Sequence, residues 1–153
     1  MPVITSKLSK AQYIKPYLLM MAIATPAVGV DFVSLITQLP TDDIFEVVGV
    51  RYRLATAANV ANRNVMLQFE APTVGGVTPL VRAKSWVDQP ASVSQIHTWS
   101  QNANFYTAMV SDTTAQNLPR IIIGKNHVIR SITTNLIAGD QLSEIIAILL
   151  RVG

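Results

Sequence analysis

The sequence has no cysteine among its 153 residues. A disulfide framework, Cys-ligated zinc, an iron–sulfur cluster and a thiol nucleophile are all excluded together. Charge is scarce as well: 14% of residues are Asp, Glu, Lys or Arg, where an ordinary soluble domain carries about 25%. Aromatic residues make up only 7%, which leaves little material for a carbohydrate-stacking platform. No apolar run reaches the roughly 20 residues that a membrane-spanning helix needs, so a membrane partner is not expected. No G-x-S-x-G elbow occurs, and with it goes the usual hydrolase nucleophile. The 12 Lys and Arg against 9 Asp and Glu give a formal net charge of +3. They are scattered, with no basic stripe interleaved with aromatics, so direct nucleic-acid binding is not expected.

What the sequence does have is apolar material. Half of its residues are hydrophobic. The length suits one domain, or one domain with an extension. A lone domain cannot hide this much apolar surface and still coat itself with charge. The composition points to further burial in a permanent assembly.

Period-two alternation dominates the chain from residue 44 onward. Val48, Val50, Tyr52 and Leu54 alternate with Val47, Gly49, Arg51 and Arg53. Val65, Leu67 and Phe69 alternate with Asn64, Met66, Gln68 and Glu70. The small polar link 56–62 between these ladders reads as a hairpin connection with one buried face. Gly75-Gly76 supplies the positive φ of a tight turn. A phosphate loop there would need a following helix and a Lys or Ser/Thr at set spacing. Leu80–Trp86, Ala91–Ser100, Phe105–Val110, Leu118–Gly124 and His127–Thr134 read as further strands. The polarity of Ala91–Ser100 suggests an edge or solvent-facing strand. Leu142–Val152 is the most apolar strand, and its unbroken run Ile145–Leu150 implies burial on both faces. These features predict an all-β fold, a jelly-roll-like antiparallel β-sandwich of about eight strands over residues 44–153.

Residues 1–43 read as an extended N-terminal arm. Lys7, Lys10, the apolar Tyr17–Ile23 and the small residues after it follow the order of a secretory signal. Pro16 opening the apolar run argues for an arm instead. Its apolar section packs on the body or on a neighbouring subunit.

Candidate chemistry is sparse. His97 and His127 lie thirty residues apart with no carboxylate at ligand spacing, so a sheet position outweighs a metal role. Asp42, Asp43, Asp88 and Asp112 fall in turns, where carboxylates bond the local backbone. Glu46 and Glu144 interrupt apolar ladders, and an ion pair with Arg51, Arg53 or Arg130 explains them best. Trp86 and Trp99 are the only tryptophans available for a sugar platform. Asn135–Ser143 reads as a structured corner capped by Asn135 and Asp140. No catalytic residue, cofactor or metal is expected.

Two segments carry a resemblance. Val48–Phe69 runs through Arg51, Arg53 and Leu54 to a small polar link and then Ala61-Asn62-Arg63. Thr133–Ser143 leads into the final apolar strand. Together they resemble the small β-sandwich cement or decoration proteins of tailed-bacteriophage capsids. The resemblance implies a jelly roll displayed in many copies on the capsid exterior. It also implies a homotrimer that clamps neighbouring subunits of the major capsid protein. On that reading Tyr17, Leu18, Leu19, Met20 and Ile23 make subunit contacts, with Ile146, Ile148 and Leu150. Arg51, Arg53 and Arg63 provide polar anchoring. The rival readings are another virion part (a head-fibre base, tail or adsorption protein) and a carbohydrate-binding module.

Overall fold

The computed structural model describes residues 16–37, 39, 42–59, 61–101 and 113–153. The fold is all-β. Its strands are β1 (Leu18–Ile23), β2 (Val33–Leu35), β3 (Phe45–Ala55), β4 (Asn64–Thr73), β5 (Gly76–Lys84), β6 (Ser94–Ser100), β7 (Thr113–Asn117), β8 (Ile122–Ile123), β9 (Val128–Thr134) and β10 (Gln141–Arg151). They form two sheets packed face to face. A 6-stranded sheet runs β1-β10-β3-β6-β7, with β8 also on β3, and a 4-stranded sheet runs β2-β9-β4-β5. Every pairing among the described strands is antiparallel except β6 with β7. The described strands outnumber the eight expected because the segment before residue 44 supplies β1 and β2. The expected strand Phe105–Val110 lies outside the described residues.

The core fills from both sheets. Val50, Tyr52 and Leu54 of β3 and Ala147 and Leu149 of β10 face Val65, Leu67 and Phe69 of β4, all essentially without exposure. Phe32 and Ile36, which flank β2, are buried in the same cluster. Residues 18–36 therefore belong to the sandwich itself. Phe32 meets Tyr52 edge to face and Tyr52 stacks on Trp99, with ring centroids 5.3 Å apart in each step.

The ladders 44–55 and 64–70 are both strands, but they do not pair as a hairpin. β3 lies in the larger sheet and β4 in the smaller, so the chain passes from one sheet to the other between Ala55 and Asn64. Period-two patterning assigns faces and cannot assign partners. The hairpin is β4–β5, turning at Val74 and Gly75, where Gly75 has φ 95°.

Three further expectations need correction. Val47 is buried, although it alternates with buried Val50. A bulge explains this: Ile148 pairs with Gly49 and Leu149 with Val47, so Val48 is the extra residue that shifts the phase. β6 is not an edge strand, since it lies between β3 and β7, and its His97 and Trp99 are fully buried. β10 is not deeply buried on both faces. Leu142, Ile145, Ala147 and Leu149 are core, whereas Ile146, Ile148 and Leu150 on the other face are half-buried.

Candidate interaction surface

The outward face of the larger sheet is built by register. Leu18 lies across from Leu150, Met20 from Ile148 and Ala22 from Ile146. Beyond β10, Ile148 neighbours Gly49 and Ile146 neighbours Arg51. The outward side chains of β1 and β10 from Leu18 to Ala22 and from Ile146 to Leu150 are all apolar. Leu18 is 65% and Met20 68% exposed. A one-sided sheet ordinarily carries polar side chains on its open face. Here that face is an apolar stripe.

Charge gathers at the two ends of the stripe and is paired there. At one end a second bulge places Glu144 at φ 51°, against Arg53 at 3.2 Å and Arg51 at 3.6 Å. At the other, Arg120 pairs with Glu46 at 3.1 Å and Arg151 with Asp43 at 2.6 Å. Hydrogen bonds from Gln101 and Arg120 hold the Glu46 carboxyl below its ordinary pKa. Arg151 also lies 5.6 Å over the Tyr17 ring. An apolar centre with a polar rim is the anatomy of a protein–protein interface.

The expected contact residues divide clearly. Leu18, Met20, Ile146, Ile148 and Leu150 share this stripe, with Tyr17, Arg51 and Arg53 around its rim. Leu19 packs partly buried against the core, and Ile23 points inward and is buried. Arg63 is a correction. It is fully buried and cannot anchor a partner at the surface. Its guanidinium meets Asp140 through Nε–Oδ2 and Nη2–Oδ1, both 2.9 Å. It also donates to the carbonyls of Asn59 and Ala61. Asp140 in turn accepts the N–H groups of Ala57 and Ile137. Burial pushes the Asp140 carboxyl up, but Arg63 and these two N–H groups outweigh it and hold the pKa below its ordinary value.

The remaining candidates sort by burial. Trp99 is buried, so it is no part of a surface platform, while Trp86 is 83% exposed at the bend after β5. His97 sits in a closed network. Gln89 uses its amide N–H groups on the carbonyls of Leu54 and Val93, so its Oε1 accepts from His97 Nε2 at 2.7 Å. His97 Nδ1 then accepts the Thr114 hydroxyl at 2.9 Å. Burial lowers the His97 pKa to about 4, which keeps the ring neutral. Burial, with the charge of Asp31, pushes the Tyr52 hydroxyl well up. No cluster of three or more His, Asp or Glu suited to a metal occurs among the described residues. His97 and Tyr52 are sealed in the core. The bulge at Val48 is invisible to motif reading, whereas the apolar runs Tyr17–Ile23 and Ile145–Leu150 both signal the unguarded sheet face.

No protein-family model matches this chain, and no curated protein or solved structure matches it.

Proposed function

We propose that this chain is a structural, non-enzymatic protein of a virion. In this reading it is a capsid cement or decoration protein of the tailed-bacteriophage type, bound to the outside of the shell of major capsid protein. The observation that carries the reading is the apolar stripe Leu18, Met20, Ile146, Ile148 and Leu150 on the open face of a sheet. Covering the two most exposed of these side chains, Leu18 and Met20, stabilises an interface by at most about 1.5–3 kcal/mol each. The low charge of the sequence suits the same purpose. Each subunit that binds only the assembled shell stabilises it by mass action, with no chemistry required.

The direct test is co-sedimentation of the purified protein with shells stripped of it. The wild-type chain is expected to bind, and a Met20→Lys, Ile148→Lys double variant is expected to stay in the supernatant while remaining folded. Equal binding by both would remove the stripe from the account. A tail, fibre-base or adsorption role predicts binding to particles at only a few copies each. The exposure of Trp86 supports one other reading, a glycan contact, and a glycan array with Trp86→Ala as control decides it.

A further inference from the structure

We infer that β1 is a dimerisation edge, which pairs antiparallel with β1 of a second copy across a two-fold axis at Met20. This inference does not depend on the virion reading.

Among the described residues β1 is paired on one side only, by β10. Tyr17 C=O accepts the Arg151 N–H at 2.9 Å. Backbone groups of an antiparallel strand alternate in direction. The groups of Leu19, Met21 and Ile23 therefore point to β10, and those of Leu18, Met20 and Ala22 point to the opposite edge, where no described strand pairs with them. A groove of about 360 Å³ borders that edge, lined by Leu19, Met20, Met21, Ala22 and Leu39. Residues from both faces of one strand line a single groove only where it runs along the strand's backbone edge. The space is therefore placed for another strand.

The occupant follows from charge and parity. Natural edges are guarded by charge or proline. The edge strand β5 carries Pro79, Arg82 and Lys84; β2 has neither charge nor proline but is only three residues long, and β7 (Thr113–Asn117) has neither but is polar, so among the described edge strands Leu18–Ile23 is the one long apolar edge without a guard. A second β1 meets this edge without like-charge repulsion; a second β5 would not. A continuous sheet also requires outward residues to face outward ones. Centring the axis on Met20 sets Met20 opposite Met20 and Leu18 opposite Ala22. It pairs every edge-directed N–H and C=O of the three residues and joins the two apolar stripes side by side. The predicted order is therefore two, in place of the three that the family resemblance implies.

The test is the solution mass of the full chain by sedimentation equilibrium. The wild type is expected at twice the 16.7 kDa chain mass. Met20→Pro removes an N–H that β10 does not use, and it is expected to run as a folded monomer by circular dichroism. Where that variant fails to fold, Met20→Lys and Met20→Glu decide. Only a two-fold at residue 20 sets the position against itself. The mixed pair is then expected to associate roughly tenfold more tightly at low salt than either variant alone. A wild-type monomer, a dimer or trimer indifferent to Met20→Pro, or no preference for the mixed pair overturns the inference.

Discussion

Arg63 and Asp140 meet in the dry interior through two parallel contacts of 2.9 Å, with neither side chain exposed. The pair closes one end of the sandwich. Arg63 lies at the end of the passage between the sheets, and Asp140 opens the approach to β10. Through Ala57 N–H, Ile137 N–H and the carbonyls of Asn59 and Ala61, the pair stitches both corners together.

Removing one partner leaves the other as an uncompensated buried charge, which costs about 3–5 kcal/mol. Arg63→Ala and Asp140→Ala are each expected to lose that much in urea unfolding. An apolar pair, Arg63→Met with Asp140→Leu, is expected to recover only part of the loss. The four backbone groups that the natural pair satisfies would stay unpartnered. Full recovery would show that the corner does not need them.

Acid sensitivity has two fully buried sources with the same sign, His97 and Asp140, besides the depressed Glu46 carboxyl nearer the surface. His97 is neutral in the fold down to about pH 4, whereas the unfolded residue gains its proton near 6.5. The unfolded state then binds the extra proton. Stability is full above about pH 6.5 and falls as pH drops toward 4, by on the order of 3 kcal/mol in all. Asp140 adds a second loss below the ordinary carboxylate pKa, because its folded value is depressed. Unfolding free energies measured from pH 8 to 4 check this, and His97→Gln is expected to flatten the upper part of the profile. A flat wild-type profile between 6.5 and 4 contradicts it.

The two tryptophans are expected to behave oppositely. Trp99→Ala removes the buried indole that stacks on Tyr52 and should cost about 3–5 kcal/mol. Trp86→Ala touches an exposed bend and should stay within about 0.5 kcal/mol of wild type. Thermal melts of the two variants separate them.

Much of this fold was legible in the residues. Val65, Leu67 and Phe69 face the core as their spacing says, and Gly75 turns the chain where expected. Glu144 finds Arg51 and Arg53 as its interruption of an apolar ladder suggests. What local pattern could not reveal was partnership. Nothing in Val48 announces the bulge that flips its strand, and nothing between Ala55 and Asn64 says that the chain crosses there between sheets. Arg63 reads as a surface anchor only on the family resemblance. Only Asp140, far along the chain, makes its burial tolerable.

Substitutions on the outward stripe should separate folding from association. Met20→Lys and Ile148→Lys replace side chains that the core does not use. Met20→Lys is expected to change the unfolding free energy by about 0.5 kcal/mol or less and the half-buried Ile148→Lys by about 1 kcal/mol, while each weakens binding to the shell at least tenfold. A matching loss of stability would mean that the stripe is structural to the monomer.

The central claim is that this chain is a component of an assembled shell. The most direct measurement is quantitative mass spectrometry of purified particles from cells that make the protein. The account predicts the chain in numbers comparable to those of the shell subunit. Its absence from particles, or its presence at only a few copies in each, would contradict the account.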